Sequence, residues 1–154
     1  MQKINIIAVG KLKEKFFIDA AKEYEKRLTN KVELKITEIA PQFLPENPTP
    51  AEIEKAKNAE GEKILKAIKS GKICALCIEG KSLSSEQFAE LLLGSEVYNF
   101  VIGGSYGLSD EVKLRADIKL SFSAMTFPHK LFRIILLEQI YRATTINGNG
   151  KYHK

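Results

Sequence analysis

The stretch ICALCIEGKSLSSEQFAELLLGSEVYNFVI, residues 73–102, contains two apolar runs on either side of a helical pattern. The runs Ile73 to Ile78 and Tyr98 to Ile102 are short and almost entirely apolar, which is typical of buried strands. Between them, Ser84-Ser85-Glu86-Gln87 has the spacing of a helix capping box. The helix that follows would turn one apolar face inward, made of Phe88, Leu91 and Leu92. A strand, a helix and a second strand in this order predict a parallel pair.

The same alternation continues in both directions from this stretch. Three more strands are predicted, at Lys3 to Val9, Val32 to Ile39 and Ile118 to Phe122. Four more helices are predicted, at Phe16 to Leu28, Thr49 to about Gly71, Ser109 to Ala116 and Pro128 to about Asn147. We therefore expect one α/β domain over residues 1–154, with a parallel sheet that has helices on both faces.

Ligands of such sheets bind outside the carboxyl ends of the strands. Three unusual segments follow predicted strands, namely Glu79-Gly80-Lys81, Gly103 to Gly107 and Ser121 to Phe127. The glycine-rich segment lacks the spacing of a dinucleotide or phosphate loop, so it is either a tight turn or a close approach to a ligand. Ser121 to Phe127 could wrap an adenine-sized ring, but its residues alone favour a buried crossover segment.

The charge and hydrophobicity of the chain bear on its partners and its location. The chain has 24 Lys and Arg against 19 Asp and Glu, a net charge of +5. This excess fits weak, salt-sensitive attraction to a polyanion, and it fits an ordinary soluble protein equally. No apolar run approaches the roughly 20 residues of a membrane span, and the N-terminus lacks a signal-peptide cleavage pattern. We expect no membrane association and a cytoplasmic location.

The two cysteines, Cys74 and Cys77, form a C-x-x-C string. A redox role would require both sulfurs near a helix N-terminus, whereas these lie in a predicted strand and would point to opposite faces. No second cysteine or histidine pair completes a zinc site. We expect two buried, inert thiols and no metal.

The last predicted helix is apolar around most of its circumference, which is typical of a helix buried on all sides. In a domain of this size a partner subunit is the natural cover, so we predict a homodimer that uses this helix. Glu138 and Arg142 could form an intrahelical pair, or Arg142 could meet a phosphate or an anionic base at the interface edge. His129 could simply cap the helix start. The tail, Gly148 to Lys154, is predicted to be disordered, with RNA contact through Tyr152, His153 and the flanking Lys151 and Lys154 as the alternative.

Several motifs together resemble one family. They are Ile7 to Lys13, Ile78 to Lys81, Val101 to Leu108, Leu120 to His129, Leu137 to Ala143 and Tyr152 to Lys154. In order and spacing they are similar to the ribosomal RNA large-subunit methyltransferase H (RlmH) family, the smallest branch of the SPOUT methyltransferases. The resemblance covers the whole chain.

The resemblance implies an α/β domain with a C-terminal trefoil knot, which forms homodimers and binds S-adenosylmethionine in a bent shape. It implies methylation of N3 of a pseudouridine in 23S rRNA within the assembled ribosome. The cofactor contacts it implies are Leu76, Gly103, Gly104, Phe122, Ser123, Ala124, Met125, Thr126 and Phe127. One departure is Lys151, because family members often have proline before the Tyr-His pair.

Methyl transfer requires the target nitrogen to lose its proton, and the resulting charge spreads onto the flanking carbonyl oxygens. Within the resemblance, Arg142 and His153 are candidates to stabilise that charge, and Tyr152 to hold the base. His153 could instead be the general base. The tail of one subunit could complete the site of the other. Two other classes stay open, a noncatalytic RNA- or nucleotide-binding module and a flavodoxin-like mononucleotide binder.

Overall fold

The computed structural model describes residues 1–154 and contains ten regular elements. The strands are β1 (Lys3–Val9), β2 (Glu33–Ile39), β3 (Lys72–Ser82), β4 (Val97–Ile102) and β5 (Ile118–Ser121). The helices are α1 (Lys15–Leu28), α2 (Pro50–Ala67), α3 (Ser85–Leu92), α4 (Asp110–Arg115) and α5 (His129–Asn147). All strand pairs are parallel, in the order β2-β1-β4-β3-β5. The predicted α/β fold with a parallel sheet is confirmed.

The sheet separates two hydrophobic cores, because alternate residues of each strand point to opposite faces. On one face, Ile4, Ile6 and Phe100 pack with residues of α1, α3 and α5. On the other face, Ile7 and Val101 pack with residues of α2 and α4. The helices therefore cover both faces, as the alternation of elements predicts.

Side-chain caps fix where three helices begin. Thr49 and Ser84 each form a complete capping box, with Glu52 and Gln87 respectively. Ser109 caps α4 by accepting a hydrogen bond from the backbone N–H of Val112 at 3.2 Å. Each such cap stabilises its helix by about 1 kcal/mol. The other end of α2 differs from expectation, since the helix ends at Ala67 and not near Gly71.

The predicted end of the third strand is wrong. β3 continues to Ser82, so the predicted loop Glu79-Gly80-Lys81 lies inside the strand. The physical reason is a break in register, because Leu120 of β5 aligns first with Leu76 and then with Lys81. The intervening residues bulge away, and pairing resumes afterwards. At Gly80 the two backbones are so close that a Cβ atom would lie 2.6 Å from the nitrogen of Leu120.

The tail is ordered, which corrects the expectation of disorder. After α5 the chain reverses, with Asn149 at a φ of 58° and the Gly150 N–H donating to the carbonyl oxygen of Thr145 at 2.7 Å. Tyr152 then packs against Tyr141, with ring centroids 4.8 Å apart. The sequence predicted disorder because no local pattern indicates these contacts with α5.

None of the five helices combines the length and the hydrophobicity that crossing a membrane requires.

Candidate functional site

A cleft of about 860 Å³ lies at the carboxyl ends of β3, β4 and β5. Eight of the nine residues expected to contact the cofactor line it, namely Leu76, Gly103, Gly104, Phe122, Ser123, Met125, Thr126 and Phe127. Ala124 is the exception, being exposed and outside the lining. The volume is within the usual range of small-molecule sites, and half of the lining residues are hydrophobic.

The glycine-rich loop after β4 forms a tight turn and also a wall of this cleft. The Gly107 N–H donates to the carbonyl oxygen of Gly104 at 3.0 Å, and Gly107 has a φ of +84°. A Cβ on Gly103 would lie 2.6 Å from the Gly107 carbonyl carbon. The tight turn is therefore confirmed, and the loop leaves bare backbone facing the cleft.

The segment after β5 is partly core and partly cleft wall. Phe122 packs against Phe88 and Phe132, with ring centroids 5.8 Å and 5.1 Å away. Its neighbour Ser123 accepts a hydrogen bond from the backbone N–H of Met125 at 2.9 Å, and the Met125 side chain is 73% exposed. The core anchors one end of the segment, while the other end presents an apolar side chain to the cleft.

One ion pair in the cleft was not predicted. Lys113 of α4 contacts Glu79 of β3 at 2.5 Å, and this hydrogen bond lowers the pKa of the Glu79 carboxyl. The sequence marked Glu79 only as part of an unusual segment, and it gave no signal at Lys113. The Glu79 side chain is 53% exposed and the Lys113 side chain 24% exposed, so both are accessible to a ligand in the cleft.

The cysteines have different environments, so the expectation of two buried thiols holds only for Cys74. Burial raises the pKa of Cys74 to about 12. Cys77 is half-buried and lines the cleft. Burial also raises its pKa, with a further contribution from the Glu79 carboxylate. Cys77 is thus accessible but is a weak nucleophile at neutral pH.

A polar cluster at the other end of α5 contains all three residues proposed for catalysis. Arg142 donates to Oε1 of Glu138 at 2.6 Å, and the Tyr152 hydroxyl donates to the same oxygen at 3.3 Å. The guanidinium also lies over the Tyr152 ring, 4.8 Å from its centroid. His153 Nδ1 lies 3.0 Å from Arg142, and its Nε2 lies 2.7 Å from Glu86. We call these five residues the tail cluster.

Two charge effects accompany the tail cluster. The hydrogen bond with His153 lowers the pKa of Glu86, and burial followed by the nearby Glu138 raises the pKa of Tyr152. Glu86 was predicted only as part of a capping box, because nothing in the sequence relates it to a residue 67 positions away. No group of three or more His, Cys, Asp or Glu side chains is arranged to hold a metal ion anywhere in the chain.

Comparisons with known proteins identify the family. A family model described as "Predicted SPOUT methyltransferase" matches residues 2–153. The chain belongs to this family. It is 48% identical to the ribosomal RNA large subunit methyltransferase H of Lactococcus lactis subsp. cremoris (strain SK11), over 99% of each chain. It is 50% identical to the protein of that name from Clostridium botulinum (strain Kyoto / Type A2), over 98% of this chain and 99% of the relative.

A solved structure shares the fold. It is that of a probable methylase family protein from Haemophilus influenzae Rd KW20, with a TM-score of 0.56 and 13% identity. The match covers 98% of this chain and 70% of the other. At this identity the likeness extends to the arrangement of helices and strands.

In this SPOUT methyltransferase, the cleft and the tail cluster are far apart within one chain. Two residues of α5 line the cleft, His129 and Phe132, and Arg142 comes 13 and 10 residues after them. An α-helix rises 1.5 Å per residue, so Arg142 lies about 20 Å from His129 and about 15 Å from Phe132 along the helix. One chain by itself therefore does not bring the proposed catalytic residues to the cleft.

Proposed function

We propose that this chain transfers a methyl group from S-adenosylmethionine to N3 of a pseudouridine in 23S rRNA, within the assembled ribosome. The chain is a SPOUT methyltransferase, and its relatives named ribosomal RNA large subunit methyltransferase H are about half identical to it over nearly full length. The observation that carries the proposal is the cleft at the carboxyl ends of three parallel strands, which has the size and lining of a nucleoside site.

The residues of the cleft fit S-adenosylmethionine. Leu76 and Phe127 offer apolar surface for an adenine ring, and Gly103 and Gly104 let the ligand approach the backbone. Lys113 and Glu79 are the charged groups in the same cleft, suited to a carboxylate and to ribose hydroxyls. When bound, this cofactor supplies an electrophilic methyl group on a sulfonium.

We assign the tail cluster to the target base. Arg142 carries a fixed positive charge with several donors, so it stabilises the negative charge on the carbonyl oxygens beside N3. Tyr152 is held over Arg142 by Glu138, and its ring is placed to support a pyrimidine. These side chains are ordered by contacts within their own subunit, so little freedom is lost when the base binds.

The contacts of His153 restrict its role. An arginine has no acceptor, so His153 Nδ1 accepts from Arg142 and Nε2–H donates to Glu86. In this arrangement the lone pair of Nδ1 is already in use. His153 acts as a general base only after Arg142 turns away toward the substrate. We therefore favour orientation of Arg142 as its resting role.

We further propose a homodimer with composite sites. Leu131, Ile135, Glu138 and Arg142 form one outward stripe along α5, apolar at the cleft end and charged at the tail end. Leu131 is 37% exposed. A twofold contact with antiparallel α5 helices would bring the tail cluster of each subunit to the cleft of the other. This arrangement removes the separation of about 15 to 20 Å within one chain.

The trefoil knot that the family resemblance implies is also a proposal. It is supported by the tight passage of β5 past Gly80 and by the pairing of β5 with β3 on both sides of the bulge. Pulling the chain from both termini in a force experiment would leave a knotted chain shorter than its full extended length. Recovery of the full length would exclude the knot.

Activity is tested with ribosomes from a host that lacks this enzyme. We expect label from radioactive S-adenosylmethionine to enter 23S rRNA, at a pseudouridine identified by nuclease mapping. Absence of label would support a noncatalytic RNA-binding module. Calorimetry with S-adenosylhomocysteine and with mononucleotides tests the cofactor, because a flavodoxin-like protein would bind the mononucleotide instead.

The composite site is tested by mixing two inactive variants. A chain truncated after Gly150 lacks Tyr152 and His153 but keeps its cleft, while Thr126→Arg blocks the cleft and keeps the tail. Thr126 is exposed, so this change does not disturb the core. After unfolding and refolding together, each heterodimer should have one intact site of its two, and about half of the dimers should be heterodimers, so the mixture should recover up to about a quarter of the wild-type activity. Mixing the truncated chain with Arg142→Ala is the control and should recover nothing. Equal inactivity of both mixtures would contradict the composite site.

A further inference from the structure

The cleft at the carboxyl ends of β3, β4 and β5, to which we assign the cofactor, is called the cofactor cleft below. A second, smaller cleft of about 310 Å³ lies beside it, at the carboxyl end of β1. The two clefts have a common wall made of Gly104, Ser105, Tyr106 and His129. Four lysines line the smaller cleft, namely Lys11, Lys13, Lys57 and Lys130. We call it the basic cleft. None of its lysines belongs to the cofactor cleft.

The lysines converge from separate parts of the chain. Lys11 and Lys13 follow β1, Lys57 is on α2, and Lys130 is in the first turn of α5. The sheet brings these elements together because the carboxyl end of β1 is central, between β2 and β4. The fold thus concentrates positive charge at one place in a chain whose overall excess is only +5.

Much of this charge is available to a ligand. Lys11 and Lys13 form no ion pair, and Lys57 has only a distant partner on its own helix, Glu54 at 3.8 Å. Lys130 pairs with Glu14 at 3.0 Å. One carboxylate lines the basic cleft, and it is already engaged.

That carboxylate is Glu60, whose Oε2 accepts a hydrogen bond from the backbone N–H of Gln42 at 3.0 Å. Four lysines and one glutamate line the basic cleft, and because Lys130 is paired with Glu14, the excess positive charge comes from Lys11, Lys13 and Lys57. The cleft suits an anion that is too large or too flexible to be enclosed, such as a phosphodiester.

One exposed aromatic ring lines the basic cleft, and a second belongs to a residue next to the lining in sequence. Tyr106 is 49% exposed and lines both clefts. Phe43 is 90% exposed, and its neighbours Gln42 and Leu44 line the basic cleft. An exposed aromatic ring loses the benefit of burial, so a base stacked on it would recover apolar contact. Lysines interleaved with aromatic rings are the pattern that binds single-stranded RNA.

We propose that the basic cleft binds an rRNA nucleotide next to the target, with its phosphate on Lys11 and Lys57 and its base against the ring of Tyr106. This inference rests on the proposed function and adds to it the place where the substrate backbone is held. The common wall places the flanking nucleotide beside the methyl donor. The substrate contacts would thereby lie within the same domain as the cofactor cleft.

The test compares two double variants that change the net charge equally. Lys11→Ala/Lys57→Ala removes two lysines of the basic cleft. Lys22→Ala/Lys55→Ala removes two exposed lysines of α1 and α2 that lie outside it. Methylation of ribosomes is measured as kcat and KM at several salt concentrations, and S-adenosylhomocysteine binding is measured by calorimetry.

We expect the cleft variant to raise the ribosome KM about 10-fold or more, with kcat and cofactor affinity within about twofold of the wild type. The slope of log KM against log salt should fall by about 0.7 for each phosphate that the variant no longer neutralises. Tyr106→Leu should raise KM about fivefold or more, because it removes the aromatic ring on which the base stacks, while Phe43→Ala, outside the lining, should leave KM unchanged. The Lys22→Ala/Lys55→Ala control should match the wild type.

Three outcomes overturn the inference. The first is an unchanged KM in the cleft variant, and the second is an equal rise in the control. The third is weaker cofactor binding, which would assign the lysines to the cofactor. If the wild type methylates no ribosomal RNA, the proposed function fails separately. Cosedimentation with ribosomes then tests RNA binding by the basic cleft, since Lys11→Ala/Lys57→Ala should lose binding and Lys22→Ala/Lys55→Ala should keep it.

Discussion

The Nδ1 atom of His153 lies 3.0 Å from a guanidinium nitrogen of Arg142, so the C-terminal tail is attached to α5 by a proposed catalytic residue. The opposite ring nitrogen of His153 reaches Glu86 of α3 at 2.7 Å. The imidazole therefore connects two helices that flank the same core. This arrangement holds Tyr152 and His153 in defined positions before any substrate is present.

Replacing His153 should slow methyl transfer without changing the affinity for the cofactor product. We expect His153→Ala to lower kcat for methylation about 100-fold, because Arg142 loses its neighbour and orientation. The Kd of S-adenosylhomocysteine should stay within about twofold, since the tail cluster is proposed to contact the target base and not the cofactor. Lys154→Ala, one residue further along the exposed end, is the matched control. A large change in cofactor affinity would place the tail in the cofactor site.

Gly103 should tolerate no side chain. In Gly103→Ala the new Cβ would lie 2.6 Å from the backbone of Gly107, and backbone atoms cannot move aside as a flexible side chain can. We expect the free energy of unfolding, measured with urea, to fall by about 2 kcal/mol. Gly104→Ala is the control, because its nearest neighbour is a methyl of Val9 at 3.2 Å. Equal stability of Gly103→Ala and the wild type would contradict the tight turn.

The two thiols should differ in reactivity and in pH dependence. Iodoacetamide should label Cys77, which lines the cleft, and leave Cys74 unlabelled in the folded protein. Because the pKa of Cys77 is raised, little thiolate exists at pH 7, and the labelling rate should still be rising with pH at pH 9. Saturating S-adenosylhomocysteine should slow the reaction. Cys77→Ser should abolish labelling and Cys74→Ser should preserve it, and the reverse result would contradict the assignment.

The buried charge of Arg133 should make Glu38 important for stability. Arg133 is 4% exposed, and it donates to Glu38 at 2.7 Å and to the Gly10 carbonyl oxygen at 3.0 Å. Glu38→Gln removes the opposite charge and should lower the free energy of unfolding by about 2 kcal/mol. This is less than for a fully buried pair because Glu38 is 39% exposed. Glu33→Gln, on the same strand and unpaired, should change it by less than about 0.5 kcal/mol.

Local patterns predicted the elements but not the contacts between distant ones. Short apolar runs and capping residues identify strands and helix starts because both depend on neighbours in sequence. The continuation of β3 through Ser82 depends on pairing with β5, about 40 residues away, so no local signal marks it. The order of the tail likewise has no local signal, because it depends on the contact between His153 and Glu86, which are 67 positions apart.

The two clefts were predictable to different degrees. The walls of the cofactor cleft are loops with unusual composition, so the sequence and the family resemblance pointed to most of them. The basic cleft is built from Lys11, Lys13, Lys57 and Lys130, four of 24 basic residues with no common spacing. Only the parallel sheet, which gathers strand ends and helix starts at one edge, makes these lysines neighbours.

Because α5 is continuous, it fixes both the distance and the relative rotation between the cleft at its start and the tail cluster near its end. Each residue of an α-helix adds 1.5 Å and turns the chain by about 100°. In the proposed dimer, one residue inserted between His129 and Arg142 would turn the tail cluster away from the partner's cleft. Seven inserted residues, about two turns, would restore the direction but add about 10 Å. In the proposed dimer, the part of α5 between the cleft and the tail cluster therefore admits only one number of residues.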